Sequence, residues 1–220
     1  MIDATATDDV KQIGVIAHIV GHSDDGPRGD PGFPRDQLDA YENWILLCPT
    51  CHALVDAQPN TYTVDRLGTI KAEHENWVRS SLASEMRNVG FPELEVVIKA
   101  ISSTPDMPTE DFTVTPPREK MVRNQLSNQV GNLIVMGMTR GREVSDYLQK
   151  SSTLDVDFPE RLKSGFISAY RRFRGEGLSN DALFDAMHEF ASGGSGQVKW
   201  QAAGLAVLVY LFESCEVFEK

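Results

Sequence analysis

The residues best equipped for chemistry fall in the first quarter of the chain. His18 lies in the apolar stretch Ile16-Ala17-His18-Ile19, Asn43 precedes a second such stretch, and His52 and Asp56 follow it four residues apart. Imidazole titrates near neutral pH, so His18 suits general-base work on a water molecule. A spacing of four puts His52 and Asp56 on one helix face, where both can share a divalent cation. Cys48 and Cys51 enclose Pro49-Thr50 just ahead of them. In a reducing compartment that spacing serves metal or redox chemistry more often than a disulfide framework. Arg28, between Pro27 and Gly29, carries a planar fork able to grip a phosphate. Each feature also has a plainer reading: a satisfied core histidine for His18, and an exposed helix face or a zinc ligand for the His52 side. For Arg28-Gly29-Asp30 it is a solvated turn, as it is for the loop residues His22, Asp24 and Asp25.

The elements that must hold these residues follow from patterning. Apolar stretches at 13–20 and 44–47 read as strands, separated by a loop rich in Gly, Pro and Asp over 22–36. His52 to Ala57 reads as a short helix and Ile70 to Arg87 as a longer one that stops near Gly90 and Pro92. Residues 102–118 carry four prolines and no helical periodicity, which predicts a semi-extended linker. Beyond it, Val122, Leu126, Val130, Leu133 and Ile134, then Leu162, Phe166, Tyr170 and Phe173, recur at helical spacing. Segments 181–191 and 197–212 add two helices across the Gly193-Gly194-Ser195-Gly196 turn. The expected fold class is therefore α+β: a small domain over 1–101 with trailing helices, the linker, and an all-α bundle over 119–220.

In this order, Ala17-His18-Ile19, Gly26-Pro27-Arg28, Asn43 and Leu47-Cys48-Pro49-Thr50-Cys51-His52 with Asp56 resemble the HNH (ββα-metal) endonucleases. The trailing Tyr62, Leu67, Lys71, His74 and Glu75 are similar to a segment that follows the site in some bacterial defence nucleases of that family. The resemblance covers roughly residues 12–80. It implies a β-hairpin and helix that clasp one Mg²⁺ or Mn²⁺ through His52 and Asp56. It also implies His18 as the base that deprotonates the attacking water, and Asn43 as a strut across the hairpin loop. Arg28 and Lys71 are the expected contacts to double-stranded DNA, and His74 a supporting residue that braces the hairpin. Two positions depart from the family. Ala17 stands where many members carry a metal-binding Asp or His. Cys48 and Cys51 form only half of a tetrahedral Zn²⁺ site, because no cysteine precedes Cys48. That half is completed by another chain or by histidines, or it is a remnant without metal; a misassigned start that clipped an upstream pair would also explain the gap. Cys215 reads as a buried small hydrophobe.

The C-terminal half, through Pro116-Pro117-Arg118-Glu119-Lys120, Phe158-Pro159-Glu160-Arg161-Leu162 and the Leu211 to Glu219 end, is similar to the C-terminal domains of bacterial ABC three-component antiphage defence systems. The resemblance implies docking to an SMC/ABC-type ATPase and a small middle component. A generic oligomerisation bundle, with the chain a homo-oligomer, is the plainer alternative. Tyr170-Arg171-Arg172-Phe173-Arg174 reads first as a solvated helix face. Against a nucleic-acid partner stands a formal charge of −11, with seven Lys/Arg against fourteen Asp/Glu over residues 1–90. This leaves room for a catalytically decayed adaptor as well as for an enzyme to which a partner delivers DNA. The longest apolar run, Ala202 to Phe212, is eleven residues, short of a membrane span. With no signal-like N-terminus, the expected location is the cytoplasm.

Overall fold

The computed structural model describes residues 13–101, 117–214 and 218. The chain divides into two compact units, 1–78 and 79–220. Each is described separately.

In the first unit, β1 (Val15–His18) pairs antiparallel with β2 (Trp44–Leu47), so that His18 stands opposite Trp44 and Ala17 opposite Ile45. Strand alternation sends Ala17 and Ile45 to one face. There they join Ile19, Val55 and Leu67 in a small core flanked by Leu47, Tyr62 and Ile70. Helix α1 (Pro49–Ala57) follows β2 directly. Pro49 opens it, where a missing N–H costs nothing, and the Cys48 sulfur caps it by accepting from the Cys51 amide at 3.3 Å. The order strand, loop, strand, helix gives the small α+β unit that the patterning predicts. Helix α2 (Val64–Met86) starts six residues ahead of the predicted Ile70. Val64 and Leu67 already begin its apolar stripe, and Thr63 accepts at its start from the Arg66 amide.

The second unit is helical throughout its described residues: the end of α2, α3 (Phe91–Ile101), α4 (Pro117–Arg123), α5 (Asn128–Met138), α6 (Gly141–Leu154), α7 (Phe158–Gly175), α8 (Asn180–Ala191) and α9 (Val198–Ser214). The apolar run 202–212 is its centre. All of Ala202 to Val209, with Leu211 and Phe212, is buried, and α3, α5, α6 and α8 pack around α9. A helix apolar on every side has this place in a globular fold. Gly137 lets α5 approach closely, since a Cβ there would stand 2.6 Å from Val209 Cγ2.

Three local differences from the patterning have physical causes. The periodicity across 122–134 belongs to two helices, because Gln125 takes a left-handed φ of 52° and Ser127 starts α5 by accepting from the Val130 amide. Helix α6 has no counterpart in the periodicity, since only Val144 and Leu148 are fully buried along it. Residues 79–101, grouped with the N-terminal domain in the sequence, belong by packing to the second unit: Leu82, Met86, Leu94, Val97, Ile98 and Ile101 enter its core. Arg140 ties this stretch down by donating to the Met86 and Arg87 carbonyls, both at 2.7 Å, at the end of α2. Of the predicted linker, 102–116 lies outside the described residues, as does Cys215, while Pro117 and Arg118 open α4. The 193–196 turn joins α8 to α9, with Gly193 and Gly194 both at φ 67°. Among the described residues no helix is long and apolar enough to cross a membrane.

Candidate functional site

His18 ends β1 with its ring partly open to solvent. Its Nε2 lies 3.0 Å from Asp39 Oδ1, and its ring meets that of His22 edge-on at 5.5 Å between centroids. A carboxylate can only accept, so this hydrogen bond requires the hydrogen on Nε2 and, in the neutral ring, leaves Nδ1 as an acceptor. Neither Asp39 nor the approach of His22 was legible in the spacing. Both come to His18 through the fold of the 20–40 loop.

Asn43 is 5 % exposed and closes that loop. Its Oδ1 accepts from the Val20 amide at 2.7 Å, and its Nδ2 donates to the Val20 and Leu38 carbonyls at 3.1 and 2.9 Å. Its own carbonyl accepts from the Ile19 amide at 2.8 Å. The side chain thus fixes the chain just past His18, with these hydrogen bonds all made to backbone groups.

His52 and Asp56 share one face of α1, with His52 Nε2 3.4 Å from Asp56 Oδ2 and both side chains partly exposed. A nitrogen and a carboxylate oxygen so placed fit one hard or borderline divalent cation. Among the described residues no group of three or more His, Cys, Asp or Glu is placed to hold a metal ion. Ala17, 1 % exposed, contributes a methyl group to the core.

Arg28 differs from its expected role. Its side chain is only 4 % exposed and points inward. Nε donates to the Ile19 carbonyl at 3.1 Å, Nη1 to the Val55 carbonyl at 2.7 Å, and Nη2 to Asp56 Oδ1 at 2.7 Å and, at a long 3.5 Å, to the His18 carbonyl. A fork consumed in this way cannot also reach for DNA. Lys71 is likewise turned inward. Its ammonium donates to the Tyr41 carbonyl, sits 3.8 Å from the centroid of the Tyr41 ring and lies 3.8 Å from Glu75. The Tyr41 hydroxyl in turn donates to Glu75 at 2.8 Å. The Lys-x-x-His-Glu segment therefore holds the turn that carries Asn43 through Lys71 and Glu75. His74 instead stacks on Trp77, with centroids 5.8 Å apart, and lines a recess with Ile16, Trp44 and Leu46.

Cys48 and Cys51 are exposed free thiols at the start of α1, the first as its N-cap and the second on its first turn. The Cys51 amide and thiol donate to the Cys48 sulfur and lower its pKa, and the same partnership raises that of Cys51. They remain a two-thiol half site among the described residues. Comparison of the chain with protein-family models, curated proteins and solved structures finds no match.

Proposed function

We propose that the first unit is a metal-dependent DNA endonuclease site of the HNH type, and that the chain is the nuclease effector of a bacterial antiphage defence system acting in the cytoplasm. One observation supports the reading: the end of the first strand and the helix after the hairpin are tied by one inward-turned guanidinium, which donates to the Asp56 carboxylate at 2.7 Å and, at a long 3.5 Å, to the His18 carbonyl, while His52 Nε2 lies 3.4 Å from Asp56 Oδ2. In this reading His18 takes a proton from water at Nδ1 while Asp39 steadies Nε2 and balances the charge gained. Asn43 keeps the strand end in place. His52 and Asp56 hold Mg²⁺ or Mn²⁺, which when bound supplies Lewis acidity to the phosphodiester and to its leaving oxygen. The test is plasmid nicking by the full chain across a metal series. Cutting with Mn²⁺ or Mg²⁺ that EDTA abolishes supports the reading, and no cutting with any divalent metal, alone or with a partner, overturns it.

The charge of the first unit bears on how DNA arrives. Its described Lys and Arg residues are Arg28, Arg35, Arg66 and Lys71, and the first, second and fourth are engaged within the unit. Little cationic surface is left to neutralise phosphates. This favours delivery of double-stranded DNA by a partner, which we take to be an SMC/ABC-type ATPase with a small middle component, docked through the helical unit. Self-association of that unit is the alternative. A second functional reading, a decayed HNH-fold adaptor that docks DNA or the ATPase without cutting, is favoured by Ala17 in the core and by the inward turn of Arg28 and Lys71. It predicts retention of the ATPase in pull-downs together with no Mn²⁺ binding.

A further inference from the structure

Arg28 is the most elaborately housed side chain of the first unit. Its backbone takes φ 56°, a left-handed conformation that costs a non-glycine residue free energy and persists only where its surroundings impose it. The loop imposes it by doubling back on itself. Gly21 and Gly29 form a bridge, the Gly21 amide donates to the Arg28 carbonyl at 3.0 Å, and a Cβ on either glycine would come within 2.3 Å of a backbone oxygen. Side chains at 21 and 29 are thereby forbidden, and the residue between the turns is thrown inward.

The acceptors that meet it are ones their own elements leave open. The Val55 carbonyl would bond in a continuing helix to the amide four residues on, but that residue is Pro59, which has none. The His18 and Ile19 carbonyls lie at the end of β1 and just beyond it. Arg28 thus fills orphan backbone acceptors on the strand and the helix at once, and adds an ion pair to Asp56.

We propose that Arg28 is a positioning residue of the nuclease site. Its guanidinium fixes the spacing between the strand end that carries His18 and the helix face that carries His52 and Asp56. It also occupies Asp56 Oδ1, so that only Oδ2 faces His52 and a cation. The proposal rests on the nuclease reading. A lysine keeps the charge but cannot reach strand, helix and carboxylate together, since it lacks the planar fork.

The experiment uses the full chain and measures the dissociation constants of Mn²⁺ and of duplex DNA at several salt concentrations, for wild type and Arg28→Lys. Loss of a partner that orients a metal ligand typically costs about 10–100-fold in metal affinity. That is the expected result, with duplex affinity and its salt slope unchanged. Unchanged Mn²⁺ affinity in Arg28→Lys overturns the proposal, as does weaker duplex binding at every salt concentration, the mark of a lost bidentate phosphate contact. Should Arg28→Lys fail to fold, phenylglyoxal modification of the wild type decides: a clamped Arg28 resists the reagent with or without duplex, whereas modification that duplex suppresses overturns the clamp. If the wild type binds no Mn²⁺, the nuclease reading falls. If it binds and Arg28→Lys binds equally, the clamp falls and the nuclease reading stands.

Discussion

The second unit buries one helix on all sides, whereas the first closes around a cluster of five apolar side chains and a set of polar links. In the second, removal of a side chain subtracts apolar area and leaves a cavity. In the first, removal of Arg28 or Asn43 takes a side-chain donor from the Val55, Val20 and Leu38 carbonyls, so that stability and the local geometry are lost together. The small unit has invested its polar residues in holding its loop, hairpin and first helix in place. That same investment removes cations from its surface.

The comparison can be broken by substitution. Phe212→Ala, at the centre of the helical core, should cost about 3–5 kcal/mol in chemical denaturation of the second unit. A loss below about 1 kcal/mol would mean that α9 is not the keystone it looks. Asn43→Ala should cost about 1–3 kcal/mol, since the Val20 amide and the Val20 and Leu38 carbonyls lose their partner. It should also abolish metal-dependent cutting, and a stable, active variant would show that the polar links do not set the site. Asp39→Asn should leave the melting temperature where it is, because the pair with His18 is exposed. Cutting should nevertheless fall about tenfold, part of the hundredfold or more that a general base contributes.

The smallest effect is one of pH. Burial holds the His188 imidazole below its ordinary pKa in α8, while its Nε2 bonds the Gln201 carbonyl at 2.8 Å. The unfolded chain therefore binds a proton that the folded unit resists, and stability falls as pH drops below the ordinary value of 6.5. His188→Gln should flatten that part of the pH–stability curve, and an unaltered curve would assign the acid sensitivity elsewhere.

The contrast between the units also explains what the sequence made legible. The first helix of the site could be read because Cys48, Pro49 and the four-residue spacing of His52 and Asp56 are local signals, and α9 because an apolar run of that length has few other uses. Arg28 was misread for a good reason. Its flanking Gly and Pro signal a turn, and turns ordinarily face water; only the three-dimensional doubling of the loop, with Gly21 against Gly29, turns the side chain in. Lys71 was misread similarly, since its partner Tyr41 is thirty residues away. Asp39 has no fixed spacing from His18, so no pattern could pair them. The membership of 79–101 depends on packing of α3 with α6, α7, α8 and α9, all far along the chain, which periodicity does not report.

The central claim is that His18 is the base of a nuclease site, and chemical rescue tests it most directly. Single-turnover nicking of plasmid with Mn²⁺ is measured for wild type and His18→Ala, with the variant also supplied with free imidazole. The account predicts cutting by the wild type, loss of about a hundredfold or more in the variant, and partial recovery with imidazole. A variant that nicks at the wild-type rate without imidazole would contradict it.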